Sequence, residues 1–102
     1  MPVTVRITHP VDRKLIKLLG AADYKELRQH LADNPFAGDL MPGSGGARKL
    51  RWALPGQGKR GALRVLHKRV GGEVWVFGVY TKIEWENPPD WLLKQWLKNI
   101  GN

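Results

Sequence analysis

Three successive segments of the chain alternate apolar and polar residues with a period of two. From Ala47 to Leu54, Leu50, Trp52 and Leu54 fall on one side, with Lys49, Arg51 and Ala53 on the other. Residues 62–69 put Leu63 and Val65 on one side and Arg64 and Lys68 opposite. Glu73 to Lys82 sets Trp75, Phe77 and Val79 against Val76, Gly78, Tyr80 and Lys82. Because successive side chains of a strand point to opposite faces, this repeat predicts adjacent strands, the last two joined by a Gly71-Gly72 hairpin turn. Each strand then has an apolar face to bury and a second face, which carries Lys49 and Arg51, then Arg64, then Tyr80 and Lys82. Gly78 predicts an open patch on that second face, where a backbone or a base approaches closely.

The flanking segments read differently. Val3, Val5 and Ile7 alternate with Thr4, Arg6 and Thr8 as a short half-buried strand. Pro10 suits a first helical turn, Val11, Leu15, Leu18 and Leu19 recur at helical spacing, and Gly20 is a natural stop. A second helix is expected over Ala22 to Ala32, with Tyr24, Leu27 and Leu31 inward, and Asn34-Pro35 closing it. Both helices read as a cover for one side of the sheet. Phe36 to Gly46, rich in Gly and Pro, reads as a loop. Pro88-Pro89 breaks the chain before a last helix from about Asp90, with Leu92, Leu93, Trp96, Leu97 and Ile100 as its core-facing or partner-facing stripe. At 102 residues and with no internal repeat, one domain over 1–102 is expected.

Charge narrows the partners. Eight of the seventeen Lys and Arg residues lie between Gly43 and Arg69: Arg48, Lys49, Arg51, Lys59, Arg60, Arg64, Lys68 and Arg69. A net charge of +8 and a pI near 10.2 favour a polyanion: RNA, DNA, a ribosome or an acidic protein. The absence of cysteine excludes disulfides and Cys-ligated zinc and fits a cytoplasmic chain. No apolar run is long enough to span a bilayer, and MPVTVRITHP lacks the layout of a signal peptide, so no membrane role is expected.

A basic strand face can bind phosphate, or it can assist its chemistry. RNA supplies its own nucleophile, the 2′-OH, so cleavage needs only a group to accept that proton, a group to protonate the leaving 5′-oxygen, and cations beside the developing charge. Like charges disfavour one another's protonated form, which makes Lys49, Lys59 or Lys82 a candidate base. Arg64 can fork two hydrogen bonds to one phosphate, and Tyr80 can orient a ribose or stack on a base. Arg48, Arg51, Lys59, Arg60 and Lys68 are candidate RNA-phosphate contacts. Lys68 and Arg69, beside the turn, also read as solvated. His9, His30 and His67 are scattered, and His67 has the parity of Val65, away from Arg64. Glu84, Glu86 and Asp90 lack a supporting carboxylate from another element, so no metal is assigned. The glycines of GSGG and GQGKRG match no P-loop.

GGARKLRWA, then GQGKRGALRVLH, then WVFGVYTK after a glycine turn, resembles the RelE-like toxins of bacterial toxin–antitoxin systems, in particular the HigB-like branch. The preceding LADNPFAGDLMPGSGG is similar to that branch's approach to its second strand, and the resemblance covers roughly residues 24–84. It implies an α+β fold with two N-terminal helices on a small antiparallel sheet and a C-terminal helix. It also implies a metal-independent, cofactor-free endoribonuclease that cuts mRNA on the ribosome and is neutralised by a cognate antitoxin, a small helix-turn-helix protein. By position, Arg64 matches the family's arginine after the glycine loop, Lys49 a basic residue on the preceding strand, Lys82 the basic position ending the fourth strand, Tyr80 a tyrosine found there, and Lys59 and Arg60 the basic loop. The loop here reads Gly61-Ala62 where relatives have two glycines. The alternatives are a gyrase poison of the same fold and a non-catalytic basic RNA-binding module.

Overall fold

The computed structural model describes residues 2–56 and 58–101, with side chains described outside 58–61. The chain runs β1 (Val5–Ile7), α1 (His9–Asp33), β2 (Asp39–Leu40), β3 (Arg48–Leu54), β4 (Gly58–Val70), β5 (Glu73–Thr81) and α2 (Asp90–Leu97). The strands form one five-stranded sheet in the order β1-β5-β4-β3-β2. The α+β class that the resemblance implies holds, with two differences in detail.

First, there is one long N-terminal helix where two were expected. Gly20 takes φ 76° and ψ 168° inside α1, and the helix kinks there and resumes. The reason lies in what both halves bury. Val11, Leu15, Leu19, Leu27 and Leu31 are all buried in one cluster with Val65, Val74, Val76 and Val79 of the sheet. An apolar stripe at every fourth residue drifts by about 40° per step around a straight helix. The break at Gly20 re-aims the second half so that the stripe stays on the sheet.

Second, the sheet is mixed rather than antiparallel. β1 pairs with β5 in parallel, Val5 opposite Val74 and Ile7 opposite Val76, while β2–β3, β3–β4 and β4–β5 are antiparallel. A strand that is followed at once by a helix cannot turn back on itself, so β1 joins the far edge of the hairpin. β2, two residues within the segment read as loop, pairs Asp39 with Lys49 and Leu40 with Arg48. β4 and β5 meet at Gly71 and Gly72, both at positive φ (59° and 82°), as a two-residue hairpin turn demands.

The β4–β5 ladder slips by one residue between Leu66 and His67, which pair with Gly78 and Val76 and leave Phe77 between them. Such a bulge re-aims every side chain beyond it. Val74, Val76 and Val79 therefore share the α1 face. Phe77 and Tyr80 join Leu66 and Ala47 on the other face, where Met41, Leu93, Trp96, Leu97 and Ile100 pack against them. The expected grouping of Trp75 and Phe77 with Val79 is overturned by this one inserted residue. α2 is the cover of the second face, so its apolar stripe meets the core.

Candidate nucleic-acid interface

Cross-strand pairing sets the basic residues out in rows. Arg51 of β3 lies opposite Arg64 of β4, and Arg64 lies opposite Tyr80 of β5. One row along, Lys49 pairs with Leu66 and Leu66 with Gly78. Directly opposed residues on antiparallel strands stand about 4.5–5.5 Å apart at Cα, so Arg51, Arg64, Tyr80 and Lys49 occupy one contiguous area. Arg64 is half-buried, and its Nη1 donates to the Ala62 carbonyl at 2.6 Å, which anchors the guanidinium on its own strand. Arg51 is exposed and Lys49 half-buried.

The area is not the open hollow that Gly78 suggested. α2 lies over its β5 side. Trp96 sits on Gly78, and its ring stacks on Tyr80 with centroids 6.4 Å apart and an interplanar angle of 25°. Tyr80 is 2% exposed. Burial pushes its phenol up from the ordinary tyrosine value, and the Arg64 and Arg51 guanidiniums pull it back the other way. The net effect is upward, so Tyr80 is a neutral phenol beside two cations. Lys82 is exposed in the turn after β5. That turn is tied by Glu84, whose Oε1 accepts from the Thr81 N–H at 3.0 Å and whose Oε2 pairs with Lys14 Nζ at 2.7 Å.

Arg48 and Lys68 are not part of this area. Arg48 pairs with His67 and therefore points to the α1 side, where its Nη1 donates to Gly38 O at 3.1 Å. Its guanidinium lies 5.6 Å from the centroid of the Phe36 ring. Arg69, read from the sequence as solvated, lies 5.3 Å from the same ring. Lys68 is half-buried and lines a cavity with both. Lys59 and Arg60 fall in β4, and their side chains lie outside the described ones. The second basic cluster escaped sequence reasoning because it depends on Phe36, which sits in the Gly- and Pro-rich segment where no periodicity exists to orient it.

His67 is buried as its parity predicts, 1% exposed, with Nε2 at 2.7 Å from the Ala37 carbonyl. The carbonyl can only accept, so Nε2 carries the proton, and Nδ1 is left buried without a partner. Burial pushes this imidazole below its ordinary value, more than the Ala37 bond raises it, with Arg48 and His30 adding to the fall.

Among the described residues no three His, Asp or Glu side chains gather closely enough to hold a metal ion. No helix is long and apolar enough to cross a membrane. No family model matches the chain.

Proposed function

We propose that this chain is the toxin of a toxin–antitoxin pair, an endoribonuclease similar to the RelE and HigB-like toxins that cuts mRNA on the ribosome. The single observation that carries the proposal is the row Arg51–Arg64–Tyr80 with Lys49 beside it. It sets three cations from two strands on one sheet face, with Asp39 of β2 opposite Lys49 at its margin. Cleavage transfers the 2′-OH proton to a base as that oxygen attacks phosphorus, forms a 2′,3′-cyclic phosphate, and expels the 5′-oxygen, which takes up a proton. Arg64 holds the phosphoryl oxygens as charge develops, because a fixed guanidinium needs no reorganisation at that moment. Lys49 and Lys82 supply the base or further charge. The sequence reading of Tyr80 as a group that touches the nucleotide gives way to an indirect role: buried under Trp96, it packs as a neutral phenol beside Arg64 and acts only by positioning that guanidinium.

The test is induction in a bacterial host with RNA 5′ ends mapped for the natural chain and for Arg64→Ala. Codon-phased cuts that vanish in the variant support the assignment. Growth arrest that survives Arg64→Ala removes Arg64 from the site. DNA breaks without RNA cuts point instead to gyrase, and salt-dependent RNA binding without cleavage on translating ribosomes points to a binding module. A cognate helix-turn-helix antitoxin remains part of the proposal, and co-expression with the neighbouring reading frame tests it by restored growth.

A further inference from the structure

The second basic cluster has the makings of a site of its own. Phe36, Arg48, Lys68 and Arg69 line a cavity of about 270 Å³ at the end of the sheet where β2, β3 and β4 meet, with His67 among the lining residues. Arg48, His67 and Arg69 reach it from the α1 face, since His67 and Arg69 pair with Val76 and Val74. Lys68, on the opposite parity, lines the cavity as well, and its Nζ comes 3.0 Å from where a Cβ on Gly45, another lining residue, would stand. Three cations thus converge from both faces. Among the described residues no acidic side chain lines the cavity, and the ion pairs they form, Arg6–Glu73 and Lys14–Glu84, involve none of the three cations.

Like charges brought together without a counter-ion repel, so something must hold them. Here Arg48 is held by Gly38 O, and both guanidiniums lie against Phe36, a ring left 62% exposed. An exposed phenyl ring flanked by guanidiniums offers what an unpaired nucleotide uses: aromatic and guanidinium planes for a base, and forked donors for its phosphate. The volume, just below the roughly 300–1,000 Å³ of ordinary small-ligand sites, suits one nucleotide.

We propose that this cavity is a second nucleotide subsite, distinct from the Arg64 row, which takes one phosphate of single-stranded RNA between Arg48, Lys68 and Arg69 and the adjoining base against Phe36. It rests on the proposed function only in taking RNA as the polymer. Lys49 and Arg48 are neighbours on β3 with side chains on opposite faces, so the subsite holds a part of the strand that the Arg64 row does not.

The experiment is fluorescence anisotropy of a labelled, unstructured U12 RNA with the full chain, without ribosomes, over a series of KCl concentrations. Phe36→Ala is expected to weaken binding about tenfold or more. Arg69→Gln, which removes no hydrogen bond among the described residues, is expected to weaken it severalfold and to flatten the slope of log K against log salt by about 0.7, the share of one phosphate contact on a single strand. Arg48→Gln does the same, and circular dichroism melts show whether each variant is folded. Unchanged affinity and slope in folded Phe36→Ala and Arg69→Gln overturn the subsite, as does a natural chain that fails to bind U12. Equal competition by free UMP, or by poly-glutamate of matched charge, overturns the RNA assignment. If the variants bind weakly while the natural chain makes no codon-phased cuts, the subsite stands and the nuclease proposal falls.

Discussion

Trp96 lies so close on Gly78 that a Cβ added there would stand 2.5 Å from its Cε3 and 3.0 Å from its Cζ3. The contact pins α2 to β5, although no residue of α2 is itself fully buried. A glycine that sequence reasoning reads as room for a ligand is occupied by an indole of the same chain.

Gly78→Ala should therefore act through α2. The backbone at Gly78 carries no positive φ, so the penalty is steric rather than conformational. The ring must move off, which also disturbs its stacking on Tyr80. A loss of about 1–3 kcal/mol, the usual range for overpacking, is expected in urea unfolding, with faster proteolysis between Thr81 and α2. An unchanged midpoint would mean that α2 is only loosely seated.

Arg64→Ala should separate activity from stability. Arg51 and Arg64 are directly opposed like charges, an arrangement that is destabilising on the scale of about 0.2–1 kcal/mol. Removing one relieves that repulsion while losing the bond to Ala62 O, so the thermal midpoint is expected to hold or rise slightly as RNA cleavage disappears. A large drop in stability would show instead that Arg64 is a structural residue.

His67 gives the fold a pH dependence. Its proton is held less tightly when folded than in the unfolded chain, where histidine titrates near ~6.5. Above that value both states are neutral and stability is complete. As pH falls below it the unfolded chain takes up the proton first, and stability declines until the folded value is passed, by at most about 1.4 kcal/mol per pH unit for one proton. Urea midpoints from pH 8 to pH 5 should show that decline, and His67→Gln, which keeps a donor for Ala37 O, should flatten it. Identical slopes in the two proteins would assign the decline to other groups.

Glu84 organises the turn that carries Lys82. It accepts from Thr81 and pairs with Lys14, which also reaches Val79 O at 3.3 Å. Burial acts to raise its pKa, but the hydrogen bonds from Lys14 and Thr81 outweigh it and hold the carboxyl below the ordinary glutamate value. Glu84→Ala is expected to lose no more than about 1 kcal/mol, since the pair is partly exposed. If Lys82 serves the reaction, the same change lowers the rate of cleavage more than it weakens RNA binding. Equal losses in both would make the turn a binding element only.

Much of this was legible because alternation is a local property. Leu50, Trp52, Leu63 and Val65 announced their face, and Arg51, Arg64 and Tyr80 share a face as their spacing implied. The bulge at Phe77 was not legible, since one extra residue leaves no mark on the sequence beyond the glycine beside it. The stripe Leu93, Trp96, Leu97 and Ile100 identified a helix with something to bury, but not which surface it meets, because that is fixed only once the bulge has turned Phe77 and Tyr80 toward it. The Phe36 cluster was hidden for a related reason: Phe36 lies in the turn before β2, and β2 is only two residues long, too short to show a period.

The parallel pairing of Val5 with Val74 also sets a schedule for biosynthesis. β1 leaves the ribosome without its sheet partner until β5 follows, on the order of seventy residues later, which is several seconds at about 5–20 residues per second. During that interval α1 has only part of its apolar stripe covered, and Tyr80 and Gly78 have not yet been made. A nascent chain in this state is open to capture by a chaperone or a partner before the Arg51–Arg64–Tyr80 row is complete.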